Sequence, residues 1–267
     1  MGVPLKDLGV NIYRGILTGY NEAFIISGAE KDELIAADPK SAEIIRPILR
    51  GRDIKRYGYN FADQWLIATF PSRHYDIEQY PAVKKHLLSF GMERLEQTGK
   101  TYYPGTEQEI KARKRTNNKW FETQDSISYW DDFSKQKIAW GNLCLHAQYA
   151  FVEESYFVNN PANIIVPGNK FLLAILNSKI ADFYIRNLGV TRNGMYFEYK
   201  PMFIEKLPIP NISEDCKNEY IDVVNKLLLI KNVGNYAEYA NIIDNMTYSL
   251  YNLSHDEIKH IEIINAQ

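Results

Sequence analysis

Short apolar runs punctuated by Gly, Pro and Asn dominate the first two thirds of the chain, and helical spacing takes over beyond them. Residues 11–16 are β-rich, Gly15, Gly19 and Asn21 mark turns, and 23–26 predicts a second short apolar strand. Residues 31–49 predict helix and loop around Pro39 and Pro47, and 65–70 a strand stopped by Pro71. Pro81 suits a first helical position, and Val83, Leu87, Leu88 and Leu95 extend a helix over 81–95. Residues 98–118 are polar and basic and predict a long loop. Strands are expected at 137–140, 148–152, 156–158 and 163–166. One helix should run over 170–188, with Leu172, Leu173, Leu176, Ile180, Phe183 and Tyr184 on its core face.

The run Leu207-Pro208-Ile209-Pro210-Asn211 reads as a linker. Beyond it, helices are expected over 214–231 and 235–251, with Ile221, Val224, Leu228, Ile242, Met246 and Leu250 as their apolar stripe. Ser254-x-x-Glu257 then caps a short last helix. The fold class is therefore α+β: several short strands and packed helices over 1–210, followed by a C-terminal helical segment over 211–267.

Composition narrows the class further. The chain has 267 residues, 45% of them apolar and 24% charged, which excludes disorder, collagen and coiled coil. Its two cysteines, Cys144 and Cys216, cannot build a disulfide framework. No apolar run approaches the roughly 20 residues of a membrane span, and the first residues lack a signal-peptide layout. These features predict a soluble, cytoplasmic protein with no membrane partner. The formal net charge of −2 hides two basic clusters. Arg46, Arg50, Arg52, Lys55 and Arg56 face only Asp53 in their window. Lys111, Arg113, Lys114, Arg115 and Lys119 have no acid among them. Such clusters are either solvated faces or a polyanion site.

No catalytic constellation emerges. Neither a dinucleotide-binding glycine fingerprint nor a phosphate-binding P-loop occurs. Asn160-Pro161 is followed by Ala162 and Asn163, a turn rather than the Asn-Pro-Pro-aromatic loop that holds a flipped base. Glu109-Ile110-Lys111 and Glu257-Ile258-Lys259 match one piece of a metal nuclease pattern, but no Pro-Asp accompanies them. His74, His86, His146, His255 and His260 make no metal spacing. Cys144-x-His146 reads as a buried cysteine beside a hydrogen-bonded histidine. Catalytic, metal and cofactor-binding residues are thus expected to be none.

The positive signals are ordered stretches. Arg14-Gly15-Ile16-Leu17-Thr18-Gly19-Tyr20-Asn21 runs on into Glu22-Ala23-Phe24-Ile25-Ile26. Ile48-Leu49-Arg50-Gly51-Arg52-Asp53-Ile54-Lys55-Arg56-Tyr57 precedes Trp65-Leu66-Ile67. Lys119-Trp120-Phe121-Glu122 leads to Lys137-Ile138-Ala139, and Leu173-Ala174-Ile175-Leu176-Asn177-Ser178-Lys179 to Leu207-Pro208-Ile209-Pro210. Near the end stand Ile243-Asp244-Asn245-Met246 and Ser254-x-x-Glu257. In this order and spacing the chain resembles the TaqI-like C-terminal specificity domain, the target recognition domain of type IIG restriction-modification enzymes and adenine-specific DNA methyltransferases. The resemblance runs from about Tyr13 to Glu262.

It implies a mixed-sheet domain that docks in the DNA major groove and selects the target. The chain would be a fragment or a stand-alone specificity polypeptide, partnered by methyltransferase and nuclease domains in cis or in trans. S-adenosylmethionine, and Mg²⁺ for cleavage, belong to that parent enzyme alone. Planar Arg suits guanine, Asn or Gln suits adenine, and Lys suits phosphates. Arg50, Arg52, Lys55 and Arg56 are candidates for phosphate or base contacts; alternatively Arg52 and Asp53 pair with each other or cap the turn at Gly51. Arg14 and Arg50 belong to the recurring motifs, which favours structural or backbone-contacting roles. Base readers are expected outside those motifs: Lys111, Arg113, Lys114, Arg115, Asn117, Asn118 and Lys119 first, then Arg73 with His74, then Arg192 with Asn193. Trp120, Phe121, Tyr129 and Trp130 are expected in the core. Two other readings compete: a metal-dependent nuclease using Glu109 and Lys111, and a protein-interaction module whose charges are solvated.

Overall fold

The computed structural model describes residues 2–103, 109–189, 191–192, 196–230 and 236–266. Its centre is an antiparallel sheet in the order Tyr149–Val152, Lys137–Trp140, Asn163–Val166, Asn11–Arg14. Every residue of Lys137–Trp140 and Asn163–Val166 is buried, the polar Lys137 and Asn163 that open the strands included, so the apolar residues 138–140 and 164–166 do not alternate with polar ones. The two-residue period still sorts the faces. Ile138, Trp140, Tyr149 and Ile165 point into one core, whereas Ala139, Ala150, Ile164 and Val166 point into another.

The first of these cores is closed by helices, and the second by another sheet. In that sheet Phe157–Val158 lies parallel to Ile45–Leu49, which pairs antiparallel with Gln64–Ile67, itself paired to Ile25–Ser27. A third core, around Phe24, Ile44, Ile67, Val83 and Leu87, packs the helices Gly28–Ala37 and Pro81–Leu88 on this sheet. A smaller sheet joins Leu143–Cys144, Tyr196–Glu198 and Thr191–Arg192. The α+β class, with short strands and a helical C-terminal segment, is the one observed. Among the described residues no helix is long and apolar enough to cross a membrane.

Several local expectations are corrected. Residues 21–24 form a helical turn, Asn21–Phe24, and the strand begins only at Ile25; a four-residue apolar run does not carry enough period to separate the two. Ile45–Leu49 is a strand despite Pro47, because Ile44, Ile45, Ile48 and Leu49 bury into two cores at once. The 81–95 helix is broken into Pro81–Leu88 and Met92–Leu95 by Gly91, whose φ is +86°. The 98–118 segment is a hairpin stem rather than an open loop: Thr101–Tyr102 pairs with Ile110–Lys111, and Gly99 N donates to Arg113 O at 2.9 Å.

The expected helix over 170–188 is two helices, Lys170–Leu176 and Lys179–Leu188. Ser178 caps the second, its Oγ accepting from Ala181 N. Asn177 turns its amide onto Tyr149, accepting from that residue's N at 3.0 Å and donating to its O at 2.9 Å. The side chain thus continues the ladder at the sheet edge, where the Tyr149 carbonyl also accepts from Tyr57 N at 2.8 Å.

The segment read as a linker carries the strand Pro208–Ile209, paired with Val3–Pro4, and Leu207 and Ile209 are buried. The helices Glu214–Ile230, Ala237–Leu250 and His255–Asn265 follow. Their buried stripe is Tyr220, Val224, Leu227, Ala240, Ile243 and Thr247, while Ile242 faces solvent. Of the expected stripe, Val224 lies in the core shared with Phe171, Leu172 and Leu176, and Ile221, Leu228, Met246 and Leu250 pack against its margin. The Ser254 capping box is present: Ser254 N donates to Glu257 Oε2 at 2.7 Å.

Candidate nucleic-acid interface

The first basic cluster lies on the turn after Ile45–Leu49. Arg50 is committed to the fold: its Nε and Nη2 donate to the two carboxylate oxygens of Asp53 at 2.9 Å each, and its backbone N to Oδ2 at 2.8 Å. The partner of Asp53 is therefore Arg50, not Arg52, because the 3₁₀ turn Gly51–Asp53 brings the carboxylate back under the residue that precedes it. Arg56 is also held internally, donating to Asn177 O at 2.7 Å with Asp244 Oδ2 3.8 Å away. Arg52 and Lys55 project outward, and among the described residues neither makes an ion pair.

Arg50, Arg52 and Lys55 stand on the rim of a cleft of ≈ 760 Å³, whose other walls present Asn21, Asn142, Asn159, Asn160 and Lys200. None of those five was a site candidate from the sequence, which marks only Asn21 and Asn160 among them, both as turn residues. Lys200 Nζ lies 2.7 Å from Glu198 Oε2. Asn142 is oriented by Asn163, whose Nδ2 donates to its Oδ1 at 2.6 Å. The Asn159–Asn160 wall is fastened by Asn159 N to Leu49 O, 2.8 Å, and Asn160 N to Ile16 O, 2.9 Å. Gly15 makes that approach possible, since a Cβ there would lie 2.6 Å from Val158 O and from Asn159 C. Cys144 also faces the cleft, but burial pushes its thiol up to about 11, so it is a neutral thiol. Its expected histidine partner faces elsewhere: His146 is exposed, with Nδ1 3.5 Å from Asp182 Oδ2.

The second basic cluster divides more sharply. Arg113 is 4% exposed. It donates to Leu95 O at 2.8 Å, Thr18 O at 3.0 Å, Glu122 O at 2.7 Å and Trp120 O at 2.5 Å. Burial pulls its pKa down to about 10, opposed by the Glu122 carboxylate. The expectation that Arg113 reads a base is thus corrected: its guanidinium closes four backbone carbonyls that the surrounding turns leave unpaired. Asn118 is half-buried, its Nδ2 donating to Thr123 O and Gln124 O, so its amide nitrogen is engaged within the fold.

Lys111, Lys114, Arg115, Asn117 and Lys119 are exposed. Lys111 pairs with Glu109 at 2.6 Å. Thr18 joins this cluster to the cleft: its carbonyl accepts from Arg113, and its Oγ1 donates to Asn21 Oδ1 at 2.7 Å.

Arg73 and His74 are exposed on the turn after Phe70, with the Arg73 guanidinium carbon 3.9 Å from the centre of the Trp130 ring. Arg192 falls in the strand Thr191–Arg192, and Asn193 lies outside the described residues. Of the four aromatics expected in the core, Phe121 is buried, whereas Trp120, Tyr129 and Trp130 are half-buried. Arg14, 58% exposed at its side chain, pairs with Asp125 at 2.9 Å.

Comparison with known proteins places this architecture. A profile of the TaqI-like C-terminal specificity domain matches residues 46–209. The type IIL restriction-modification enzyme MmeI, solved in complex with DNA, superposes with a TM-score of 0.65 at 12% identity, over 98% of this chain and 36% of that one. The type IIG restriction endonuclease BpuSI superposes with a TM-score of 0.53 at 16% identity, over 92% of this chain and 31% of its own. The chain therefore spans about a third of the length of either enzyme, and the likeness is one of fold. Comparison with curated proteins returned no match.

Proposed function

The chain belongs to the TaqI-like C-terminal specificity domain family, and from that premise we propose that it recognises a specific duplex DNA sequence on behalf of a restriction-modification enzyme. The observation that carries this reading is the cleft rim. Arg52 and Lys55 point outward from a turn locked by the Arg50–Asp53 fork, beside a wall of asparagine amides. Cations without internal partners suit phosphates, and amides suit adenine edges, so one surface supplies both positioning and readout. Exposed Lys114, Arg115, Asn117 and Lys119 extend it along the hairpin stem.

In this reading the chemistry lies with companion methyltransferase and nuclease domains, in cis or in trans. Those companions would hold S-adenosylmethionine and Mg²⁺; no residue described above is assigned to either.

The test is selection of bound duplexes from a randomised DNA pool at low salt, repeated near physiological salt. Enrichment of one short motif is the expected result. Absence of duplex binding at low salt would overturn the reading.

A further inference from the structure

Arg73 differs from every other arginine whose side chain is described. Others are engaged by groups of the protein, as Arg46, Arg50 and Arg113 are by carbonyls and carboxylates. Arg52 and Arg115 make no hydrogen bond, ion pair or ring contact among the described residues. Arg73 is both held and unengaged: its guanidinium carbon sits 3.9 Å from the Trp130 ring centre, and its side-chain donors meet no acceptor among the described residues.

The platform under it is built, not incidental. Pro71 starts the 3₁₀ turn Pro71–Arg73, Arg73 N donates to Phe70 O at 2.9 Å, and His74 closes the turn at φ +53°. Ser72 fastens that turn to the segment bearing Trp130, with N to Ser126 O at 3.3 Å and Oγ to Ile127 O at 2.9 Å. Ile127 is a buried, β-branched residue at φ +49°, a conformation such residues avoid unless their surroundings impose it. Here the surroundings are the core around Phe70, Phe133 and Phe157. The Ile127 carbonyl accepts from Ser72 Oγ three residues before Trp130, so the turn that bears Arg73 and the segment that bears the indole are tied together close to their contact.

We propose that Arg73, held against Trp130, reads a guanine in the major groove. An indole restrains the guanidinium while leaving its planar fork of donors at the edge, where O6 and N7 of guanine accept them as a pair. The restraint lowers the ordering cost of the contact. Trp130 is a positioning residue. The inference rests on the recognition reading above and names one of its specificity determinants.

The test repeats the duplex selection with the wild-type chain, Arg73→Ala, Arg73→Lys and Trp130→Leu, each checked for an unchanged thermal midpoint. Arg73→Ala and Arg73→Lys should both lose guanine preference at one motif position by about 5- to 150-fold, the worth of one bidentate contact, with the other positions unchanged. Trp130→Leu should keep the same motif at weaker affinity, and adding it to Arg73→Ala should cost nothing more. Arg73→Lys with the wild-type motif and affinity would make Arg73 a phosphate contact and overturn the proposal. So would an Arg73→Ala chain that selects the same motif as before. In either case the wild-type motif leaves the recognition reading standing, whereas a wild-type chain that binds no duplex removes both.

Discussion

Arg113 Nη1 donates to the Thr18 carbonyl at 3.0 Å, across 95 positions of chain. Because Thr18 also donates to Asn21, whose side chain walls the cleft, one buried guanidinium joins the hairpin stem to that wall. Arg115, two residues on, is exposed. Two arginines of one basic run therefore hold opposite roles, and substitution should separate them.

Arg113→Ala should destabilise the fold by about 3 kcal/mol or more, since it orphans several buried carbonyls at once. Arg113→Lys should recover little, because an ammonium cannot serve the same fork of acceptors. Arg115→Ala should stay within about 0.5 kcal/mol of wild type, as exposed substitutions do. Urea unfolding measures all three; equal midpoints for Arg113→Ala and wild type would contradict the structural role.

Arg52→Ala and Lys55→Ala should leave unfolding unchanged and weaken duplex binding. If each removes one phosphate contact, the slope of log affinity against log salt should fall by about one per substitution. Fluorescence anisotropy with a labelled duplex across a salt series reads this directly. An unchanged slope in the double variant would take the cleft rim out of the interface.

Gly15→Ala places a methyl 2.6 Å from Val158 O and Asn159 C, which are backbone and cannot swing aside. The wall must shift, so a stability loss of about 1–3 kcal/mol is expected, the usual cost of overpacking. Duplex affinity should fall with it because Asn159 faces the cleft. Thermal unfolding and anisotropy on the same variant check the pair; a loss of stability with full affinity would mean the Asn159 wall is not used.

Lys137 is wholly buried, with Nζ donating to Glu153 O at 2.7 Å. Burial pulls its pKa down to about 8, the Glu154 carboxylate opposing. An unfolded lysine titrates near ~10.4. Between these values the unfolded chain holds a proton that the folded chain lacks, so stability should rise with pH across that window. The burial penalty stands in full below the lower value. Relative to Lys137→Met, wild type should gain up to about 1.4 kcal/mol per pH unit in this range. Urea unfolding at pH 7.5, 9 and 10 measures it, and a flat difference would show that the carbonyls fully compensate the charge.

Legibility from sequence followed the range of the interactions involved. Lys137–Trp140 and Asn163–Val166 are predicted at their observed bounds, because burial on two faces leaves a short apolar run, 138–140 and 164–166, behind one polar residue in each. The Ser254–Glu257 cap was equally plain, since both partners lie within one turn. The split between Lys170–Leu176 and Lys179–Leu188 was not, because Asn177 is recruited by Tyr149, 28 residues upstream. Of the two alternatives for Asp53, capping the turn at Gly51 is the one present, and the arginine it pairs with is Arg50 rather than Arg52, because only the path of the turn selects between them.

By itself the sequence determined the α+β class, the helical C-terminal segment, both basic clusters and the family to which the chain belongs. All of these depend on residue order or on periods of a few positions. Tertiary structure alone decided which cations are available to a ligand. Arg56 and Arg113 turn inward because distant chain brings Asn177 O and four orphaned carbonyls to them, and Arg50 is engaged by Asp53 on its own turn, whereas among the described residues Arg52, Lys55, Arg73 and Arg115 do not meet such acceptors. A guanidinium desolvates only where enough acceptors converge, and that convergence is a property of the folded chain, not of its neighbours in sequence.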